Sequence, residues 1–294
     1  MNRSVLVTGA TGAQGGAVAR ELLSRGHSVR ALTRRPDSPA ARALRDLGAE
    51  VVVGDFDQPA SIREAAHGLD AAFAIGTPFE VDSETEARQV ISLLDALRDA
   101  GIGHIVYSSV ASALDGTGIP HFESKARAEK YLGGLGVPHT IVAPVAFLEN
   151  VDMPWIAPEL QQGRYPFGVP IDLPVQQVAL ADLASFVALA VEQPERLVGK
   201  RVELASVETT GRQIVEQLSQ TLGRPVEYVE LSVAMFRDSG NEDMARMLEF
   251  FRAGGYSVDV EGLRAAYPEV RWHSLRGWAE EHDWSAALGE AVSS

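Results

Sequence analysis

A glycine-rich turn near the amino terminus constrains the fold of this chain more than any other feature. The apolar run Val5–Thr8 is followed by Gly9, Gly12 and Gly15 and then by a helical pattern. Gly9 lets the chain turn tightly off a strand, Gly12 removes a Cβ that would keep a pyrophosphate away, and Gly15 lets the helix pack closely. A strand, this turn and a helix in that order indicate dinucleotide binding. The alternative is a purely structural βα turn.

The same turn predicts where the phosphates of a dinucleotide bind. At the start of the helix, N–H groups without intrahelical acceptors and the positive end of the helix dipole favour an anion. The residues predicted to contact the cofactor in this turn are Gly9, Thr11, Gly12, Ala13, Gln14 and Gly15.

The first half of the chain alternates short β-branched runs with longer helical patterns, which predicts parallel strands joined by crossover helices. Strands are expected at 5–8, 29–33, 50–53, 71–75, 105–108 and 140–143, and helices at 15–24, 40–47, 61–67, 84–99 and 123–135. The predicted fold class is therefore α/β, with a doubly wound parallel sheet of six strands.

The pattern changes after Pro144. Prolines at positions 154, 158, 166, 170 and 174 disfavour a long helix between about residues 152 and 174, and most of the remaining chain has helical patterns. We predict a nucleotide-binding domain over residues 1–150 and a smaller, mostly helical domain over 151–294. Segments around residues 175–205, including a strand-like run at 201–205, are expected to be able to rejoin the first domain.

Charge and composition argue against several classes of partner. The formal net charge is −14, which repels nucleic acid and anionic membranes, so neither is expected as a direct partner. The longest nearly apolar stretch, residues 183–191, is far shorter than the roughly 20 residues that span a bilayer. The chain has no cysteine and no secretory signal pattern, and a cytoplasmic location is expected.

Two classes of catalytic site have little support in the sequence. The seven histidines show no pairing with carboxylates at the spacing of zinc hydrolases, and no metal is predicted. The Gly-x-Ser-x-Gly turn of serine hydrolases is missing as well.

The end of the second strand predicts which dinucleotide is bound. An acidic residue at this point would accept a hydrogen bond from the ribose 2′-hydroxyl, whereas this chain has Arg34 and Arg35. Two guanidinium groups can bind a 2′-phosphate through forked hydrogen bonds, so NADP(H) is predicted in preference to NAD(H). The alternative is a solvated pair of loop arginines. After the third strand, Asp55 and Phe56 are predicted to flank the adenine, the alternative being an aspartate that opens a loop.

Several motifs together resemble the NmrA-like group of atypical short-chain dehydrogenases/reductases. They are Gly9-Ala10-Thr11-Gly12-Ala13-Gln14-Gly15, Thr33-Arg34, Gly54-Asp55-Phe56, Tyr107-Ser108-Ser109, His121-Phe122-Glu123-Ser124-Lys125 and Phe147-Leu148-Glu149-Asn150. The resemblance implies a Rossmann domain, a smaller carboxy-terminal domain and a cleft between them. Members of the group include NADPH-dependent quinone and double-bond reductases. Others bind NADP without known turnover and act as redox sensors or transcriptional co-regulators.

The resemblance also implies catalytic residues. In the standard short-chain dehydrogenase, a tyrosine and a lysine four residues later share one helix face. In this chain His121 occupies the tyrosine position and Lys125 the lysine position. Lys125 would anchor the nicotinamide ribose or donate a proton, the alternative being a solvated helix lysine. His121 would relay a proton, the alternatives being a histidine of the substrate wall or of a helix start, which Pro120 indicates nearby. Ser108 or Ser109 would polarise a carbonyl, the alternative being a hydroxyl that bonds the loop backbone; Lys125, His121 and Ser109 are the predicted catalytic residues.

The nicotinamide half of the cofactor is predicted to lie beside two further segments. One is Gly76, Thr77 and Pro78 after the fourth strand, and the other begins with Pro144 after the sixth strand. From the latter, Phe147 and Asn150 are predicted to line the pocket, although Phe147 equally fits an ordinary core position.

Two functions of different classes remain open. In the first, the protein is an NADPH-dependent oxidoreductase that reduces a small apolar quinone, enone, imine or carbonyl substrate in the cleft. In the second, it is a non-catalytic redox sensor that responds to NADP(H), which the missing tyrosine favours. A homodimer or a protein partner is compatible with either function.

Overall fold

The computed structural model describes residues 2–76 and 82–288, without the side chains of residues 286 and 287. Within these residues the chain forms two compact units. Unit 1 comprises the described parts of Met1–Pro144 and Leu180–Glu203, and unit 2 those of Val145–Ala179 and Leu204–Ser294. The chain thus leaves unit 1 after the sixth strand and returns to it for two helices and most of a strand.

The elements have the following bounds. The strands are β1 (Ser4–Val7), β2 (Ser28–Thr33), β3 (Glu50–Val53), β4 (Ala71–Ile75), β5 (His104–Ser108), β6 (His139–Pro144), β7 (Ala146–Phe147), β8 (Arg164–Phe167), β9 (Val175–Val178), β10 (Arg201–Leu204), β11 (Val207–Thr209) and β12 (Glu227–Glu230). The helices are α1 (Ala13–Ser24), α2 (Pro39–Asp46), α3 (Pro59–Ala66), α4 (Ser83–Asp99), α5 (Pro120–Gly134), a 3₁₀ helix (Leu148–Asp152), α6 (Ala157–Gln161), α7 (Leu180–Glu192), α8 (Pro194–Leu197), α9 (Gly211–Leu222), α10 (Val233–Asp238), α11 (Glu242–Arg252), α12 (Val260–Ala266), α13 (Leu275–Glu281) and α14 (Trp284–Leu288).

Unit 1 contains the doubly wound sheet that the alternating pattern predicts. Its strand order is β10-β6-β5-β4-β1-β2-β3, and β1 to β6 run parallel. The predicted α/β Rossmann class is confirmed, with seven strands in place of the six predicted. The seventh strand, β10, lies beside β6, where Ile141 N–H donates to the Lys200 carbonyl at 2.9 Å. The order reverses between β1 and β4, and ligands of such sheets bind at the carboxyl edge of this switch point.

The two faces of the sheet are covered by different helices. Helices α3, α4 and α5 pack side by side on one face, and α1 packs against α2 and α7 on the other. Asp82 starts α4 because its carboxylate accepts hydrogen bonds from the N–H groups of Glu84 and Thr85. The helix then buries an apolar stripe that includes Val90, Leu93 and Leu97. Each fully buried side chain of this kind contributes about 1.5–3 kcal/mol, so α4 is a firmly held element.

His104 at the start of β5 makes the stability of unit 1 depend on pH. The Thr140 hydroxyl donates to the Leu197 carbonyl at 2.9 Å, so it accepts a hydrogen bond from the His104 Nε2–H. Burial, with smaller contributions from His139 and Arg3, lowers the pKa of His104 from 6.5 to about 4. Since the unfolded state binds a proton at higher pH than the folded state does, stability is complete above pH 6.5 and falls towards pH 4.

The expected loss from this one group is about 2 kcal/mol between pH 7 and pH 5. Urea unfolding at both pH values measures it, with a His104→Gln variant as control because glutamine can still donate to Thr140. The variant is expected to lose less stability than the wild type over this interval. Equal losses in the two proteins would show that His104 does not titrate in this way.

Unit 2 contains two small sheets and several short helices. The strand orders are β11-β9-β7 and β12-β8. Trp278 and Trp284 are buried in its core, and Trp278 Nε1 donates to Glu149 Oε1 at 3.0 Å. The carboxy-terminal helices are thus fixed to the segment that follows β6. Among the described helices, none is long and apolar enough to cross a membrane.

Candidate functional site

The glycine turn has the geometry that its sequence predicts. Gly9 has a φ of +60°, a left-handed conformation that glycine adopts without a steric cost. The Gly12 N–H donates to the Gly9 carbonyl at 2.9 Å and closes the turn. A Cβ at Gly15 would lie 2.3 Å from the Gly9 carbonyl oxygen, so only glycine fits where α1 passes the turn.

The start of α1 has the features of a phosphate site. Gly12 is the N-cap residue and provides no side-chain acceptor for the first N–H groups of the helix. Thr11, Gly12 and Ala13 are exposed. A backbone cradle without side chains, at the positive end of a helix dipole, fits the pyrophosphate of a dinucleotide.

The carboxyl ends of β1, β4 and β5 are joined by hydrogen bonds around this turn. The Thr8 hydroxyl accepts from the Ile75 N–H at 2.9 Å and connects β1 to β4. The Ser108 hydroxyl donates to Gln14 Oε1 at 2.8 Å and connects β5 to the first turn of α1. Of the two serines that end β5, Ser108 therefore contacts the predicted phosphate loop.

The loop after β2 is exposed and rich in arginine. Arg34 and Arg35 are exposed, and the Arg35 N–H donates to the Thr33 hydroxyl at 3.1 Å. Two further arginines, which the sequence analysis did not identify, bond the carbonyls of this loop. Arg42 Nη1 lies 2.6 Å from the Asp37 oxygen, and Arg45 Nη2 lies 3.2 Å from the Pro36 oxygen. The four guanidinium groups make this corner of an acidic protein locally basic.

Asp55 and Phe56 follow β3 as predicted, and both are partly buried. Asp55 Oδ1 accepts from the Asp57 N–H at 3.0 Å, and the Asp55 N–H donates to the Ser61 hydroxyl at 3.1 Å. These bonds match the structural alternative, in which the aspartate opens a loop. Contact of either side chain with an adenine stays a prediction.

Lys125 is almost completely buried in α5. Its side chain is 7% exposed, and its Nζ lies 2.7 Å from Oε1 of Glu86, whose side chain is 1% exposed. The Nζ is also 5.8 Å from the centre of the Tyr107 ring. A buried ammonium needs such a partner, because desolvation of an unpaired charge is very costly. Lys125 is therefore held as one half of an ion pair.

Glu86 is a residue that the sequence analysis missed. The Ser124 hydroxyl donates to Glu86 Oε2 at 2.6 Å, which occupies the second carboxylate oxygen. Glu86 belongs to the buried stripe of α4 together with Val90. A charged residue at an apolar position of a helical pattern was the available signal, since such a residue is normally paired.

A backbone segment predicted to contact the nicotinamide lies against this pair. A Cβ at Gly76 would be 2.7 Å from Glu86 Oε1 and 2.6 Å from Val90 Cγ2. The carboxylate therefore packs directly against the first residue after β4. The predicted contacts at Thr77 and Pro78 lie outside the described residues.

Tyr107 is buried beside Lys125. The side chain is fully buried, and burial raises its pKa well above 10.0, with Glu86 and Glu129 adding to the shift. The phenol is thus neutral, and it has no hydrogen-bond partner among the described residues.

Ser109, the serine predicted to be catalytic, belongs to a second buried network. Its hydroxyl donates to Glu129 Oε1 of α5, and Arg201 Nε donates to Glu129 Oε2 at 2.8 Å. Arg201 Nη2 also donates to the Val110 carbonyl at 3.0 Å. These bonds fix the course of the chain after β5, and a catalytic role for Ser109 stays a prediction.

His121 is the second residue of α5, which begins at Pro120. The imidazole is partly buried and meets the Phe122 ring edge-on at a centroid distance of 4.8 Å. The proximity to a helix start that Pro120 indicates is confirmed. Proton transfer by this imidazole stays a prediction.

The three residues predicted after β6 fall in different units. Pro144 ends β6 in unit 1, where its carbonyl accepts from the Ala111 N–H at 2.9 Å. In unit 2, Phe147 pairs with Val178 in a sheet and Asn150 lies in the 3₁₀ helix. The contacts of these side chains with the nicotinamide stay predictions.

Unit 1 thus brings a phosphate cradle, a basic corner and a buried ammonium to one edge of its sheet. This set can bind a dinucleotide phosphate and hold a positive charge near the end of β4. Among the described residues, no group of three or more histidine, aspartate or glutamate side chains could hold a metal ion.

Comparison with known proteins gives consistent matches over most of the chain. The model of the NmrA-like family matches residues 1–279. A (4-alkanoyl-5-oxo-2,5-dihydrofuran-3-yl)methyl phosphate reductase from Streptomyces griseus is 34% identical over 296 residues, covering 98% of this chain and 99% of the relative. The NmrA-like family domain-containing oxidoreductase cpsB from Aspergillus campestris is 32% identical over 76% of this chain and 74% of its own length.

A solved structure of a reductase is also similar to this chain. The NADPH-dependent quinone oxidoreductase QOR2 from Escherichia coli, crystallised with NADPH, has a TM-score of 0.77 and 25% sequence identity. The match covers 94% of this chain and 98% of the other. The fold described above for unit 1 is therefore one that accommodates a nicotinamide dinucleotide in a similar protein.

Proposed function

Because the chain belongs to the NmrA-like family, we propose that it is an NADPH-dependent oxidoreductase acting on a small substrate with an activated double bond. The relatives named as oxidoreductases support a reductase that binds a nicotinamide dinucleotide. The observation that carries the proposal is that unit 1 holds an intact phosphate cradle and a buried charged lysine at one sheet edge.

The residues of unit 1 divide the work of binding. The backbone from Gly9 to Gly15 holds the pyrophosphate, and Arg34 and Arg35 hold the 2′-phosphate. When bound, the reduced nicotinamide supplies a hydride to the substrate. Lys125 anchors the nicotinamide ribose, and Lys125, His121 or water provides the proton that completes the reduction.

The substrate class is proposed from chemistry that the relatives share. The Streptomyces griseus relative is named as the reductase of a 5-oxo-2,5-dihydrofuran, a ring with a carbon–carbon double bond next to a carbonyl. The Escherichia coli protein is named as a quinone oxidoreductase, and a quinone also contains conjugated double bonds. Among quinones, enones, imines and simple carbonyls, we therefore place conjugated enones and quinones first.

An assay of NADPH oxidation against quinones, butenolides, linear enones, imines and ketones tests this function. The expected result is turnover with at least one conjugated acceptor and slower turnover with isolated ketones. The alternative function, a dinucleotide-responsive regulatory protein, is motivated by His121 at the tyrosine position. Tight NADPH binding without turnover of any acceptor would favour that alternative.

The cofactor preference can be tested separately. Replacing Arg34 and Arg35 by alanine removes up to two charge-assisted contacts with the 2′-phosphate, each worth about 1.5–3 kcal/mol. The loss of one contact is expected to lower the affinity for NADPH by roughly 10- to 100-fold, and the loss of both by roughly 100-fold or more, while the affinity for NADH changes little, as measured by fluorescence titration. Arg127→Ala is the control. Arg127 is an exposed arginine of α5 that pairs with Glu84 of α4, away from the loop after β2. Equal losses for both cofactors would contradict a 2′-phosphate site.

A further inference from the structure

Glu86 forms a buried pair with Lys125, and neither the sequence motifs nor the relatives assign Glu86 a role. Lys125 lies in α5 and Glu86 near the start of α4, so the pair joins two neighbouring helices on one face of the sheet. Removing both groups from water costs several kcal/mol per ion, and replacement by apolar residues is often no less stable. Stability alone is therefore a weak reason for these two charges to be buried.

The surroundings of Glu86 hold its carboxylate in one position. Oε2 accepts the Ser124 hydroxyl at 2.6 Å, and Oε1 lies 2.7 Å from Lys125 Nζ. Ser124 is the residue before Lys125 on the same helix. Both contacts of the carboxylate are thus made to one turn of α5, which fixes where the ammonium lies relative to the helix.

The carboxylate also lies against the chain that leaves β4. A Cβ at Gly76 would be 2.7 Å from Glu86 Oε1, so no side chain fits between the carboxylate and this backbone. Gly76 follows β4 at the switch point of the sheet, the edge at which ligands of doubly wound folds bind. Glu86 therefore connects the ammonium of Lys125 to the segment proposed to run beside the nicotinamide.

From this arrangement we propose that Glu86 is the positioning residue of Lys125: it holds the ammonium at the edge of the sheet after β4. This inference rests on the proposed function, in which Lys125 serves the nicotinamide side of the cofactor. Glu86 itself contacts neither cofactor nor substrate, and it acts only through Lys125.

A double-mutant cycle tests whether Glu86 acts through Lys125. The four proteins are the wild type, Glu86→Gln, Lys125→Met and the double variant, each checked for folding by thermal unfolding. In the presence of Lys125, Glu86→Gln is expected to lower kcat by about 10- to 100-fold with little change in the KM of the acceptor, because misplaced groups lose this much rate. In the Lys125→Met background, the same substitution is expected to change kcat by less than about twofold.

The conservative variant and a matched control exclude a purely structural role. Glu86→Asp retains the charge and is expected to recover part of the kcat that Glu86→Gln loses. Glu192→Gln removes a carboxylate that pairs with Arg25 elsewhere in unit 1 and is expected to leave kcat unchanged. Equal losses from Glu86→Gln in both lysine backgrounds, or no loss in either, would overturn the proposal.

Chemical labelling provides a readout that does not depend on turnover. The chain has three lysines, of which Lys130 and Lys200 are exposed and serve as internal references for acetylation by acetic anhydride. Mass spectrometry is expected to show slow labelling of Lys125 in the wild type and in Glu192→Gln, and labelling several-fold faster in Glu86→Gln. Labelling of Lys125 as fast as Lys130 in the wild type would contradict the held ion pair.

The affinity for NADPH separates failure of this inference from failure of the proposed function. If the wild type reduces no acceptor, the oxidoreductase proposal fails. The NADPH dissociation constants of the same four proteins are then compared in place of kcat. Glu86→Gln is then expected to weaken NADPH binding only when Lys125 is present. An unchanged affinity in that background would overturn the role of Glu86 independently of catalysis.

Discussion

Replacing Lys125 by methionine is expected to lower NADPH-dependent turnover by about 10²- to 10⁴-fold, the range over which a positioned proton donor acts. Methionine retains an unbranched side chain of similar length, so the space beside Tyr107 stays filled. The loss is expected in kcat, measured with the best acceptor at saturating NADPH. The reason for the expected loss is that the substitution removes the ammonium group that pairs with Glu86.

The same substitution is expected to destabilise the fold. Glu86 would remain as a buried carboxylate without a countercharge, and breaking a buried pair in this way costs about 3–5 kcal/mol. Adding Glu86→Gln to Lys125→Met removes the second charge, so the double variant is expected to regain stability without regaining turnover. Urea unfolding and the activity assay together separate the two effects.

Lys130→Met is the matched control, because Lys130 lies in the same helix and is exposed. It is expected to leave both stability and turnover close to those of the wild type. If Lys125→Met kept wild-type turnover in a folded protein, the proposed site would be wrong, whatever its effect on stability.

Replacing Gly15 by alanine is expected to destabilise unit 1 and to weaken NADPH binding. The added Cβ would lie 2.3 Å from the Gly9 oxygen and 2.7 Å from the Thr8 oxygen, and these backbone atoms cannot rotate away as a side chain does. Overpacking of this kind costs about 1–3 kcal/mol, occasionally more. Because the strain falls on the cradle itself, NADPH affinity is expected to drop by roughly tenfold or more.

Gly133→Ala provides the control for the added methyl group. Gly133 lies within α5, and a Cβ there would meet no atom within 4 Å. Alanine is the better helix former, so this variant is expected to gain up to about 1 kcal/mol of stability and to bind NADPH normally. Thermal unfolding and fluorescence titration of both variants measure the contrast. A Gly15→Ala protein with wild-type affinity would contradict the cradle.

Local chemistry explains why much of unit 1 could be predicted. The glycines at 9, 12 and 15 act within one turn, and their roles depend on neighbours a few residues away. The alternation of strands and helices is also a property of short segments. Such patterns identified the sheet, the family resemblance and the phosphate turn before any tertiary contact was known.

The hydrogen-bond partners of the buried polar residues could not be predicted from local sequence patterns. Nothing in the run Tyr107-Ser108-Ser109 distinguishes the serine that bonds Gln14 from the one that bonds Glu129. Successive side chains of a strand point to opposite faces, and the partner on each face comes from a different part of the chain. The pairing of β10 with β6 is a contact of the same kind.

For this protein, the sequence alone determined the α/β class, the dinucleotide turn and the position of Lys125 one helical turn after His121, because each is set by local geometry. Only the tertiary structure decided that Lys125 is buried against Glu86, with Ser124 on the other carboxylate oxygen. The physical reason is that a buried charge requires a partner, and packing of α4 against α5 determines which residue that partner is.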